Sequence, residues 1–397
     1  MAVQTLTTGD NFFTSFNTSV PRLFITAETD TEEEFDQVTL EQWRAEGFRV
    51  TYLPYGKGSR GYVQDLESIG RNLSLGDSFA VVAFGDAAAT CLETFRKSTR
   101  KLCALVAYYP TSIPDPHSSF PIGMKTLVHL AGEEVGVTRA HEVLGIQGKR
   151  RTTTKKIPSG TGTGGKLKLA YPSYTYTGVA PGFAEHDLEE YDKVADRLAW
   201  SRSLDCLRKA FKTEVDLESV WEEHVELEFM TRDADRTMAT MVNHPYVNHV
   251  PVLTGGIGKK ALHRFYQDFF IPSNPPSLKM KLLSRTIGVD RVVDEMFTSF
   301  THSQEMPWIL PGIPPTNKHV EVALVSVVCI RGGKLYHEHI YWDQASVLVQ
   351  IGLLDPNVVP QAMKNKGVER LPVVGKESAR KVLDEDSVPS NELVTDW

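Results

Sequence analysis

The sequence predicts two domains of different class: an α/β domain with a parallel sheet covered by helices, then an α+β domain with a curved antiparallel sheet. Three observations carry this. Between Arg22 and Lys212, six apolar strand-like runs alternate with helical patterns, the rhythm of a parallel sheet built from crossover units. From about Asp216 the order changes, with helix-like segments first and three long strand-like runs after them. The length of 397 residues, 41% of them hydrophobic, suffices for two cores. The expected boundaries are 1–212, 213–356 and a C-terminal arm over 357–397.

In the first domain the strand-like runs are RLFITAE, FRVTYLPYG, FAVVAFG, KLCALVAYYP, KTLVHLAG and LKLAYPSYTY. TEEEFDQVTLEQWRAEG and DAAATCLETFRKS are helical spacers, and a helix from about Glu185 to Lys212 repeats apolar residues near i, i+3, i+4 and i+7. The basic, glycine-rich KRRTTTKKIPSGTGTGGK reads as a loop. Within it, Gly160 to Lys166 nearly matches a phosphate-binding loop. Leu167 stands where Ser or Thr would hold magnesium, and a strand follows where a helix is needed, so no nucleotide site is expected.

In the second domain LESVWEEHVELEFMTRDADRTMATM is helix-like, NHPYVNHVPVLTGG carries loop signals, and KKALHRFYQDFF is a second helix. Three strand runs follow, LKMKLLSRTIG, RVVDEMFTSFTH and HVEVALVSVVCIRGGKLYHEHIYWD, the last folding back at Arg331-Gly332-Gly333. Beyond Leu354 the chain reads as an extended arm with one short helix near Glu377 to Leu383.

Lys and Arg total 43 against 50 Asp and Glu, a net charge of −7, which gives no footprint for nucleic acid. No run approaches the about 18 apolar residues of a membrane span, and MAVQTLTTGDNFFTSF lacks a basic segment followed by an apolar one. A soluble cytoplasmic protein is expected. The four cysteines are scattered, as reduced thiols would be.

FAVVAFGDAA, LCALVAYYP, VHLAGEE and YTGVAPGFAEHDLEEYD resemble the dienelactone hydrolase family of the α/β-hydrolases, which implies a parallel sheet with helices on both faces. In that family a Cys at the strand–helix elbow, an Asp and a His form a triad. The matching positions here hold Gly85, Val135 and Pro181, so the resemblance implies a hydrolase domain without its catalyst. A rearranged triad from Cys91, Asp86, Glu134 and His186 would make the chain a carboxylic-ester or lactone hydrolase, the alternative reading for this half.

VNHVPVLTGG, SRTIGVDRVVDEMFTSFTH and GGKLYHEHIYWDQASVLVQIGLL resemble the SnoaL-like polyketide cyclases, whose cone-shaped α+β fold is shared with nuclear transport factor and ketosteroid isomerase. Period-two alternation puts His337, His339, Tyr341 and Asp343 on one strand face and Tyr336, Glu338, Ile340 and Trp342 on the other. The resemblance implies that Asp343 lies inside the cone. Asp343 is therefore the candidate general acid or base and His339 its partner or oxyanion donor. His249, Arg285, Glu295, His302 and Tyr341 are candidates for the polar lining, although Glu295 and His302 have opposite parity in one strand. A metal held by His249, His302 and His339 lacks any short-range ligand spacing such as H-x-x-x-H, so no metal or cofactor is expected.

The expected activity is cofactor-independent isomerisation, cyclisation or hydration of a small carbonyl or polyketide-like compound. The alternative of another class is a non-catalytic ligand-binding or assembly protein. The run VEVALVSVVCI offers material for a homodimer or higher oligomer.

Overall fold

The computed structural model describes residues 20–56, 60–97, 99–144, 149–158 and 169–397, and the chain divides into two compact units at Glu214/Val215. The first unit's strands are β1 (Arg22–Thr26), β2 (Arg49–Tyr52), β3 (Phe79–Phe84), β4 (Leu102–Tyr108), β5 (Ser112–Ile113), β6 (Lys125–Ala131), β7 (Glu134–Leu144), β8 (Lys149–Pro158) and β9 (Ser173–Tyr176). Among the described residues, β2-β1-β3-β4-β6-β9 form one sheet, every pair parallel. Each of the six apolar runs supplies one of its strands.

β3 runs down the middle with all six residues buried, because helices cover both of its faces. Phe79, Val81 and Ala83 share a cluster with Leu66 of the helix Arg60–Ser68 and Leu92 of the helix Gly85–Thr94. On the other face Phe84 packs on Phe35 and Tyr108, and Trp200 of the helix Lys193–Phe211 stacks on Trp43 of the helix Gln37–Ala45 at 4.0 Å. Burying each Phe or Val of this kind stabilises by about 1.5–3 kcal/mol.

The basic stretch expected as a loop departs from that reading. Lys149–Pro158 is β8, paired antiparallel with β7, and β5 adds to β7 in parallel. Three successive threonines favour an extended backbone over a coil. The phosphate-loop-like Gly160 to Lys166 lies outside the described residues.

The second unit opens with the helix Leu217–Val225, which widens into a π-type turn over Glu226–Thr231 and is followed by the helix Ala234–Ala239. Its strands are β10 (Met241–His249), β11 (Thr254–Ile257), β12 (Lys279–Ile287), β13 (Arg291–Thr301), β14 (His319–Arg331) and β15 (Lys334–Trp342). Between β11 and β12 the helix Lys259–Arg264 runs into a second π-type turn, Phe265–Phe270. Strand order is β11-β10-β15-β14-β13-β12.

Two expectations need correcting here. NHPYVNHVPVLTGG forms most of the β10–β11 hairpin; Pro245 sits where the β10–β15 register shifts, which is where a sheet tolerates a missing N–H. The sheet is also mixed, since β10 joins β15 in parallel while the other pairs are antiparallel. The residues beyond 356 fold back: Ser346 donates to the Gly375 carbonyl at 2.8 Å, Arg380 pairs with Glu321, and Ala379 in the helix Glu377–Leu383 is fully buried. Among the described residues no helix is long and apolar enough to cross a membrane.

Candidate functional site

The pleat of β15 decides which side chains reach the interior of the second unit, and it runs opposite to expectation. Glu338 and Ile340 line a cavity of about 200 Å³, and Trp342 is buried on the same face. Tyr341 and Asp343 are exposed, while His339 is half-buried against Tyr246 and His337 on the outer face. Parity is all-or-none in a strand, and the face carrying Ile340 and Trp342 has the apolar area that the covering helices need. Asp343 instead ends the strand as the N-cap of the helix Gln344–Gln350, its carboxylate accepting the Ala345 amide at 3.0 Å.

His249 and Arg285 do line the cavity. His249 is ringed by Phe265, Phe270, Trp308 and Trp342 at 5.5–6.0 Å, and burial pulls its pKa down to about 4, so it stands neutral. Arg285 is committed to its neighbours. It grips Asp294 through Nε at 2.8 Å and Nη2 at 2.9 Å, and gives Nη1 to Glu218 and Glu222. Trp221 adds a third bond to Asp294 at 2.8 Å. Arg285 thus braces the buried Asp294 rather than presenting an open anion receptor.

Glu295 faces away from Asp294 and accepts from Ser284 at 3.1 Å. His302 is fully buried, with Nδ1 at 3.2 Å from the Thr316 hydroxyl, and neither residue lines the cavity. The trio His249, His302 and His339 is therefore not assembled.

The cavity's ionisable wall comes from residues that the sequence reading passed over. Glu228, Tyr266 and Glu338 all line it, and His224 stands behind Glu228 with Nε2 2.9 Å from Oε1. The two π-type turns carry Glu228 and Tyr266; inserting one residue per turn rotates side chains that a regular helix would aim elsewhere. All four residues are at least nine-tenths buried. Burial, with the Glu228 charge second, pushes the Glu338 carboxyl well above its usual range. Burial, reinforced by the Glu228 and Glu338 charges, likewise lifts Tyr266, which stays a phenol.

This wall therefore holds a neutral carboxylic acid, a second carboxyl and a phenol against an apolar chamber. One signal was available in the sequence: His224-Val-Glu-Leu-Glu228 sets a histidine and a carboxylate four apart, on one helical face. Glu338 gave none, since only the fold chooses the face of a strand.

In the first unit Gly85 follows β3 directly, at φ +51°, and opens the next helix. The elbow geometry is present, and its seat is taken. A Cβ built on Gly85 would lie 2.1 Å from Glu28 Oε1, and that carboxylate already accepts the Asp86 amide. Val135 is buried in β7 beside the core, and Pro181 lies exposed in the turn before Phe183.

The substitutes are each engaged elsewhere. The Cys91 sulfur is buried against the Tyr62 hydroxyl at 3.4 Å, and desolvation pushes the thiol up to about 12. Asp86 accepts from Thr111 at 2.6 Å, Glu134 is an exposed strand end, and His186 bonds Asp36 at 2.7 Å. Near the elbow, Tyr109 donates to Glu185, whose carboxyl burial raises to about 7.

No family model matches the chain, and no curated protein matches it. Solved structures resemble about a third of it. TsrD from Streptomyces laurentii is 18% identical over 36% of this chain and 100% of its own, with a TM-score of 0.29. A protein from Jannaschia described as a SnoaL-like polyketide cyclase is 17% identical over 36% of this chain and 99% of its own, at 0.28. An NTF2-like protein from Burkholderia thailandensis is 16% identical over 36% and 100%, at 0.27.

Proposed function

We propose that the second unit binds a small, mainly apolar carbonyl compound in its cavity and moves a proton on it. The observation that carries this is the pairing of a buried carboxyl, Glu338, with a second carboxyl, Glu228, on the wall of a mainly apolar cavity. Glu338, kept neutral by burial, is the general acid, and Glu228, 2.9 Å from His224 Nε2, is the general base. Tyr266 donates to the oxygen on which negative charge develops. Abstraction beside a carbonyl and reprotonation elsewhere would yield an isomerisation, or a cyclisation if the carbanion meets an internal electrophile.

The test uses chelator-treated protein. Binding of a panel of cyclic ketones is followed by quenching of Trp221 and Trp308, which line the cavity, and deuterium exchange next to the carbonyl by NMR. Glu338→Gln is nearly isosteric and cannot give up a proton, so exchange should fall about 10²–10⁴-fold. Asp343→Asn keeps a good N-cap and should leave exchange unchanged. Equal rates in Glu338→Gln and the unaltered protein would overturn the proposal.

A further inference from the structure

The geometry around His224 leaves a buried ring nitrogen beside two carboxyls. Its Nδ1 lies 2.6 Å from the Thr240 hydroxyl, and that hydroxyl gives its single proton to the Thr237 carbonyl at 2.7 Å. Thr240 can then only accept, so Nδ1 carries the N–H and the tautomer is fixed. This leaves Nε2 close to two carboxyls. Nε2 is buried, 2.9 Å from Glu228 Oε1, yet no acceptor lies in line to complete a hydrogen bond with it. A lone pair on Nε2 against a carboxylate lone pair is repulsive unless a proton or a metal ion offsets it.

Glu338 supplies the third donor. One ligand atom from each of His224, Glu228 and Glu338 lies within 4.8 Å of the others, all three residues being buried. Donors bound to one metal at about 2.0–2.2 Å stand roughly 3–3.5 Å apart, so closure takes side-chain shifts of about an ångström. Thr240 on Nδ1 is the outer-shell acceptor that orients a metal-binding histidine. Glu228 and Glu338 reach the cavity and His224 does not, which leaves the remaining coordination positions on the cavity side.

We propose that His224 Nε2, Glu228 and Glu338 form a binding site for one divalent transition-metal ion at the cavity wall. One nitrogen and two carboxylates suit Zn²⁺, Mn²⁺ or Co²⁺ better than the all-oxygen preference of Ca²⁺ or Mg²⁺. The inference rests on the cavity as the working site; with the ion bound, Glu228 and Glu338 serve as its ligands in place of their acid and base roles, and the ion would polarise a bound carbonyl oxygen.

The test uses the full chain, stripped with chelator, loaded with ZnCl₂, MnCl₂ or CoCl₂ and desalted. Elemental analysis should find about one ion per chain. Melting temperature should rise on loading, and Co²⁺ should give visible bands of a nitrogen- and oxygen-bound site. Glu338→Gln and His224→Gln should each lose the retained ion and the thermal shift. Circular dichroism confirms which variants fold, and Thr240→Val, which leaves all three ligands in place, should weaken binding about 10-fold or more.

No retained ion and no thermal shift with any of the three metals would overturn the site, as would retention undiminished in the Glu338→Gln, His224→Gln double variant. Ketone exchange in stripped protein is a separate readout. Its failure alone removes the proton-transfer reading, and failure of metal retention alone removes this one.

Discussion

Gly85 shows how one residue can set the turn from a strand into a helix and leave no nucleophile there. The backbone turns at φ +51°, which a glycine adopts freely, and the Glu28 carboxylate fills the space a nucleophile would need. Gly85→Ser should therefore yield no hydrolase. The left-handed backbone costs a serine about 1 kcal/mol, and the new hydroxyl meets a carboxylate where an oxyanion would have to form. Incubation with an activated ester should give neither burst nor covalent adduct, in the variant or in the unaltered protein. An adduct on Cys91 or Ser at 85, found by mass spectrometry, would contradict this.

At the scale of elements, Asp36 is the clasp that starts the helix Gln37–Ala45. It caps the helix through the Val38 amide at 3.0 Å, accepts from the Thr39 hydroxyl at 2.6 Å, and takes both the backbone amide and Nδ1 of His186. Burial works against the Asp36 charge, but the bonds from His186 and Thr39 outweigh it and hold its pKa at about 2; the same contact raises His186 despite its own burial. Asp36 is depressed from 3.8, so its contribution is complete above that pH and disappears as pH falls through about 2. His186 is raised from 6.5, so its contribution is complete below 6.5 and fades as pH rises through the folded value. Asp36→Asn should destabilise by about 2 kcal/mol near pH 5, with a smaller loss at pH 9, measured by denaturant titration at both pH values.

At the scale of the molecule, one hydrophobic cluster packs against β3 and another beneath the β10–β15 sheet, each within its own unit. Calorimetry should resolve two transitions. Asp36→Asn should move one of them and Glu338→Gln the other. The second carries its own pH signature. Glu338 is raised above 4.5, so its share of stability is full below that pH and is lost as pH climbs toward the folded value. His249 is lowered from 6.5 to about 4, so its share is present above 6.5 and lost as pH falls through about 4. Glu338→Gln should flatten the alkaline decline of that transition and leave the acidic one. One transition shifted by both variants would contradict the division.

The sequence by itself determined the six parallel strands, the helices Gln37–Ala45 and Gly85–Thr94 between them, and the β14–β15 hairpin. Those features are local: apolar runs, turn residues and single side chains specify them without help from distant parts of the chain. The tertiary structure alone decided which residues line the candidate site. His339 and Asp343 read as catalytic because they are titratable and share a face, yet a strand's period of two says only that two faces exist. Which face turns inward depends on the helices that cover it, and these chose Glu338, Ile340 and Trp342. His224 and Glu228, more than a hundred residues away in sequence, meet Glu338 only after the sheet has formed.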